Sequence, residues 1–205
     1  MNEIEFAALL VSRVCHDLVS PVGAVVNGLE VLEDERDAAM RADALKLVVS
    51  SAEQAASRLQ FARIAFGAAG SAGAELDLNE VGRIVKGLLS GGKVTVDWQA
   101  APLNWPKDWA KLLMNATLLT ADSLPRGGHV VVTTSADPAA PAFTVRGTGT
   151  NARILEEVEK AARGEPVTPI DGRSIQPYLT HKLARSLNAG LTLSSQDGVV
   201  ELVAG

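Results

Sequence analysis

Residues 3–34 read EIEFAALLVSRVCHDLVSPVGAVVNGLEVLED. Apolar residues recur at Ile4, Ala8, Val11, Cys15, Leu18, Val22, Val25, Leu29 and Leu32, in alternating steps of four and three. That is the heptad period of a helix with one apolar seam. A helix of this extent is about 45–50 Å long at 1.5 Å per residue. A polar break follows at Glu33-Asp34-Glu35-Arg36-Asp37, and the pattern resumes at Ala38, Leu45, Val48, Ala52, Ala55, Leu59, Ala62 and Phe66. Two long helices with a short connection make an antiparallel hairpin. A hairpin alone cannot bury seams of this length on both helices, so a homodimeric four-helix bundle is expected, with cover from elsewhere in the chain as the alternative.

The period changes after Gly67-Ala68-Ala69-Gly70-Ser71-Ala72-Gly73-Ala74, a small-residue linker. The sequence therefore divides into a helical domain, 1–68, and a second domain, 75–205. In the second, a helix opens at Asp77-Leu78-Asn79-Glu80 and closes at Gly91-Gly92. Val94-Thr95-Val96-Asp97-Trp98 alternates like a strand. A helix is expected over 107–123, strands over 129–135 and 142–146, helices over 151–163 and 177–187, and a closing hairpin from 191–195 and 199–203. This order suggests a two-layer α/β sandwich.

Of 205 residues, 47% are hydrophobic and 21% charged, with net charge -5. The composition is globular. The acidic balance argues against nucleic acid, whose binders present a basic surface that displaces counterions. A single cysteine excludes an internal disulfide and fits a reducing compartment. The start, MNEIEFAALL, is acidic where a secretory leader is basic, and no uninterrupted apolar run reaches the roughly 18 residues of a membrane span. A cytoplasmic protein without a membrane segment is expected.

The chemistry-bearing stretch is Cys15-His16-Asp17-Leu18-Val19-Ser20-Pro21-Val22-Gly23. With Cys15 and Leu18 on the seam, His16 falls on the outer face beside Ser12, Arg13, Ser20, Gly23 and Asn27. An imidazole in water titrates near about pH 6.5, so at neutrality most of it is an uncharged nucleophile. The Asp17 carboxylate can select a ring tautomer or take a proton. Pro21 removes the N–H that would bond the Asp17 carbonyl and crowds that carbonyl, so a bend is expected there. A wet helical histidine is more often plain surface than a reactive group. His129, opening a strand, and His181, inside a helix, read as structural. No His, Cys and carboxylate set has metal-ligand spacing.

His16-Asp17-Leu18 with Pro21, in the first helix of a hairpin, resembles the H-box of sensor histidine kinases, whose hairpin dimerises and accepts the phosphoryl group. Trp109–Val132, WAKLLMNATLLTADSLPRGGHVVV, is similar to that family's N-box helix and following turn and strand. Tyr178–Val203 is similar to its last helix and closing strands. The nucleotide contacts depart from the family. Val145 stands where an acid precedes the Gly147-Thr148-Gly149 motif. Asn115 matches the first N-box asparagine, but Leu119 occupies the place of the second. Gly172-Arg173-Ser174-Ile175-Gln176-Pro177 replaces a glycine-rich phosphate cradle. An H-box joined to such a domain resembles the ChpT-type histidine phosphotransferases of bacterial phosphorelays.

That resemblance implies a helical hairpin in a dimeric four-helix bundle, followed by a histidine-kinase-ATPase-like α/β sandwich. It implies that His16, assisted by Asp17, takes a phosphoryl group from a receiver-domain aspartate and passes it to another. The partners would be response-regulator receivers, upstream on a hybrid kinase and downstream. No cofactor of its own is implied, since Mg²⁺ belongs to the receiver. Across the hairpin His16 lies level with about Gln54 to Arg58. The docking candidates are therefore Ser12, Arg13, Ser20, Gly23 and Asn27 on one helix, and Gln54, Ser57, Arg58 and Phe61 on the other, with Arg13 able to steady phosphoryl charge. Two alternatives stay open: a divergent ATP-dependent sensor histidine kinase, and a non-catalytic dimeric adaptor.

Overall fold

The computed structural model describes residues 1–67, 74–165 and 174–205. The first helix, α1 (Glu3–Asp34), starts at a capping box. Asn2 Oδ1 accepts from the Glu5 N–H at 2.8 Å, and the Glu5 carboxylate accepts from the Asn2 N–H at 3.0 Å. The second, α2 (Ala38–Ala65), is capped by Asp37, whose carboxylate accepts from the N–H groups of Ala39 and Met40. Arg41 reaches back from α2 to the carbonyls of Leu32 and Glu35, which the end of α1 leaves unpaired. The Glu35 carboxylate accepts from the N–H groups of Asp37 and Arg36, and these bonds hold it below its usual range. The turn is thus fixed by side chains at 35, 37 and 41.

The helices approach closely at Gly28. A Cβ there would lie 2.6 Å from Val48 Cγ2. This packing covers a third of the α1 seam and half of the α2 seam. Leu18, Val25 and Leu32 on α1, and Val48, Ala55 and Ala62 on α2, are partly buried. The rest stays bare: Ile4, Val11, Val22, Leu29, Leu45 and Leu59 are between 47% and 82% exposed. By length and composition alone, α1 is apolar enough to cross a membrane. Arg13 and Asp17 interrupt the apolar run while leaving its average high. The excess apolarity has a simpler origin, since α1 carries two apolar stripes, one on α2 and one open.

The α/β half contains β1 (Glu75–Asp77), α3 (Leu78–Leu89), β2 (Val94–Gln99), β3 (Asn104–Pro106), α4 (Lys107–Asp122), β4 (Gly128–Thr134), β5 (Phe143–Thr148), α5 (Glu156–Arg163), α6 (Ile175–Ser186), β6 (Thr192–Gln196) and β7 (Val199–Ala204). Five strands form a sheet in the order β2-β4-β5-β7-β6. The β2–β4 pair is parallel, because α4 crosses between them, and the remaining pairs are antiparallel. One sheet face is apolar in register: Val132, Val145 and Leu202 form one cross-strand row, and Val130, Gly147 and Val200 the next. Helix α4 lies on this face and is buried from Ala110 to Ala121; the polar side chains of Asn115, Thr117 and Thr120 in that stretch bond backbone carbonyls. The result is the expected two-layer sandwich.

Two expectations need correction, and one strand pair was not foreseen. The helix expected from Asn151 starts at Glu156, since Asn151 has φ of 60° and Ala152 N–H turns back to Gly149. The last helix starts at Ile175, ahead of Pro177, because a proline in a first turn gives up an N–H that has no partner there. The short pair β1–β3 is too brief to show a period. Residues 68–73 of the linker, and Gly172 and Arg173 of the expected phosphate cradle, lie outside the described residues.

The halves meet through a shared core. Phe61 and Ala65 from α2 pack with Val81, Ile84, Val85, Ala110, Met114 and Leu118. At the other end of the hairpin, the Phe6 ring meets Tyr178 of α6 edge-on at 6.0 Å, with Lys182 over the Phe6 face.

Candidate functional site: the outer face of the hairpin

His16 projects from α1 with its side chain 87% exposed. Its Nδ1 lies 3.5 Å from Asp17 Oδ1. The other carboxylate oxygen, Oδ2, accepts from Arg13 Nε at 2.8 Å. Arg13 also faces Asp122 Oδ2 at 3.7 Å, so an acid at the end of α4 reaches the helix that bears the histidine.

Helix α1 runs unbroken through Pro21, which is buried. Proline has no N–H, so the Asp17 carbonyl lacks its helical donor. The Arg58 guanidinium fills that role from α2, with Nη1 donating to the Asp17 carbonyl. Asp17 is therefore held at its carboxylate by Arg13 and at its backbone by Arg58. The expected level of the two helices is right, since Arg58 stands opposite Asp17.

The docking candidates fall into two sets. Ser12, Ser20, Asn27 and Gln54 are exposed, and Gly23 has no neighbour within 4 Å of where a Cβ would stand. Ser57 is partly buried beside Gly87. Three candidates need correction as open surface. Phe61 is only 2% exposed, because the interdomain core claims it. Arg13 turns toward the carboxylates of Asp17 and Asp122, and Arg58 turns to the Asp17 carbonyl, so neither guanidinium is open surface. Val19, which the sequence reading passed over, is 70% exposed. It lies one helical step of three from His16, on the same face.

Between the hairpin and the second half, Arg13, Asp17, Arg58, Leu88, Leu118 and Asp122 line a cleft of about 280 Å³. The Asp122 side chain is 56% exposed at the mouth of this cleft; its partial loss of water pushes the carboxyl above the usual carboxylate range, and nearby Arg13 offsets only part of the shift. Burial works against the charge on Arg13 too, but its bond and attraction to Asp17 outweigh this and raise its pKa.

The positions matching nucleotide contacts are filled by packing. Val145 and Asn115 are fully buried, and Leu119 is 1% exposed. The Asn115 amide donates to the carbonyls of Ala65 and Lys111 at 3.1 and 2.9 Å, and its oxygen accepts from the Gln176 amide at 3.1 Å. It ties α2, α4 and α6 together. Gly147 is a glycine because α4 crosses it: a Cβ would lie 2.7 Å from Thr120 Cγ2. These residues do not fit a nucleotide site. Among the described residues no cluster of three or more His, Cys, Asp or Glu side chains has metal-binding geometry. His129 Nδ1 is 2.9 Å from Thr95 Oγ1 on the open sheet face. His181 stacks on Tyr178 and lies against Gly164; burial lowers its pKa, and a bond to the Ala162 carbonyl partly opposes this. Both are structural, as their sequence setting suggested.

The α/β sandwich that follows the hairpin has the fold of histidine-kinase catalytic domains. The catalytic domain of histidine kinase ThkA shares the sandwich fold, with 17% identity, TM-score 0.50, and coverage of 64% of this chain and 92% of that one. Closer similarities fix the family. Residues 78–199 match the model of the histidine phosphotransferase C-terminal domain. Protein phosphotransferase ChpT of Brucella abortus (strain 2308) is 40% identical over 195 residues, which is 95% of this chain and 91% of that protein. A solved bacterial phosphotransferase superposes with TM-score 0.90 at 34% identity, over 100% of this chain and 98% of the other. The chain belongs to the histidine phosphotransferase family and is a protein phosphotransferase of the phosphorelay type.

Proposed function

We propose that His16 is the phosphorelay histidine. The observation that carries this is its placement: an 87% exposed imidazole, with Nδ1 beside the Asp17 carboxylate and the opposite ring nitrogen turned outward. The Nε2 lone pair attacks phosphorus in a receiver's aspartyl phosphate. The P–N bond forms as the P–O bond to the receiver carboxylate breaks, and the carboxylate leaves with the electron pair. Asp17 stabilises the proton on Nδ1 and the positive charge that builds on the ring. Onward transfer reverses these steps with a second receiver. The receiver's own Mg²⁺ and lysine neutralise the transferring group. This chain contributes a positioned nucleophile and a docking face, and uses no nucleotide or metal of its own.

Docking uses Ser12, Val19, Ser20, Gly23 and Asn27 around His16, with Gln54 and Ser57 across the hairpin. The α/β domain, 75–205, supports the hairpin domain, 1–68. The bare parts of both seams face a second copy of the chain in a four-helix bundle. The protein works in the cytoplasm, where receivers reside.

The test is transfer from a phosphorylated receiver domain to the purified full-length protein without ATP, beside His16→Ala. Acid-labile phosphate on the wild type alone is the expected result. Label on the variant rejects His16. Label only with Mg-ATP makes the protein a kinase, and no label from a panel of receivers makes it an adaptor.

A further inference from the structure

The Arg13–Asp122 contact lies at the edge of the joint that holds the two halves, in the cleft that Phe61 and Leu118 also line. Phe61 and Ala65 already fix that joint through a buried core, with one bond across it from the Asn115 amide to the Ala65 carbonyl. Arg13 instead spans the cleft toward the reactive helix, with its side chain only 17% exposed between two carboxylates. A free arginine on a helix has several rotamers of similar energy, and ordering it costs entropy. A second anchor removes that freedom, so the guanidinium stays against Asp17 Oδ2. With Oδ2 engaged, Oδ1 is the oxygen left facing His16 Nδ1. A carboxylate held on one side presents its other oxygen in one place, and such secondary contacts set the tautomer of the imidazole they reach.

We propose that Asp122 is a positioning residue for the relay histidine: from the end of α4 it holds Arg13 against Asp17, which fixes Asp17 as acceptor for the Nδ1–H of His16 and leaves Nε2 as the free nucleophile. The inference rests on His16 being the phosphoryl acceptor. It gives the α/β domain a part in the chemistry as well as in support. Asp122 touches no reacting atom, so its effect falls on the transfer step and not on receiver affinity.

The experiment uses the full-length protein as wild type, Asp122→Ala, Asp122→Glu, Tyr178→Ala and His16→Ala. Single-turnover transfer from a phosphorylated receiver is followed over a range of receiver concentrations. ¹⁵N NMR of histidine-labelled protein reads the His16 tautomer. Asp122→Ala is expected to lower the saturating rate constant roughly ten-fold, the order for a misplaced reactive group. The half-saturating receiver concentration stays unchanged, and the ring moves toward a mixture of tautomers. Asp122→Glu restores rate and tautomer. Tyr178→Ala, which loosens a different interdomain contact, leaves both at wild-type values. A wild-type rate and tautomer in Asp122→Ala overturns the proposal. So does an equal change in Tyr178→Ala, which would make the contact a general clamp. Phosphate on His16→Ala instead overturns the assignment of the acceptor, whatever the Asp122 variants do.

Discussion

Arg58 and Pro21 should be thermodynamically coupled, although they lie on different helices and one is not a hydrogen-bonding side chain. Pro21 leaves the Asp17 carbonyl without a helical donor, and Arg58 supplies one from α2. Arg58→Met keeps most of the aliphatic stem and deletes the donor. The carbonyl is then partly buried and unpaired, and such a loss costs about 1–3 kcal/mol. Because the site is partly open to water, the lower half of that range is expected, about 1–1.5 kcal/mol. For a chain of this size that is a fall in Tm of about 2–6 °C. Pro21→Ala returns an N–H one helical turn after Asp17. In that background the carbonyl has a donor, and Arg58→Met should cost less than half as much. The double-mutant cycle then shows a coupling of about 0.5–1 kcal/mol between positions 21 and 58. Urea and thermal unfolding of the four proteins, at one fixed concentration because self-association shifts apparent stability, measure it. Additive effects within about 0.3 kcal/mol would refute the reasoning, since they would mean that Arg58 does not replace the missing N–H.

Gly28→Val should destabilise the hairpin by about 1–3 kcal/mol through overpacking against Val48; Val48→Ala should recover part of the loss in the same unfolding assay. Asn115→Ala leaves the Ala65 carbonyl short of a donor, while the Gln176 amide keeps the Asn115 backbone carbonyl and Thr180 Oγ1 as acceptors, a cost of about 1–2 kcal/mol. Amide exchange should then rise first around 61–65 and 81–85. The raised pKa of Asp122 has a sign that can be checked. The folded state holds this proton more tightly than the unfolded state. The carboxyl therefore adds no penalty below its unfolded value near 3.8, and the penalty grows as pH rises through its folded value. The stability of wild type relative to Asp122→Asn should thus fall as pH is raised from about 3.8 toward neutrality, and a difference that is flat with pH would contradict it.

Local periodicity determined a great deal. The four-three spacing from Ile4 to Leu32 specified α1 almost to its ends, and alternation at Val94–Trp98 and in the closing hairpin specified strands. The His16-Asp17 pair with Pro21 pointed to the helix on which the relay histidine is proposed, and Val145 and Leu119 stand in the sequence where nucleotide contacts would be expected. The freed Asp17 carbonyl was also legible, since proline removes a known N–H; that Arg58 of the facing helix supplies the donor was not. Tertiary structure decided the rest. It chose which part of each seam the packing covers and which stays bare. It spent Asn115 on the carbonyl of Ala65, fifty residues away, and drew Phe61 into the interdomain core. It brought Asp122 to Arg13 across more than a hundred residues of chain. The physical reason is that a helix or strand period is a property of neighbours along the chain. The partner of a carboxylate, an amide or a buried ring is set by packing between elements, and no spacing in the sequence encodes it.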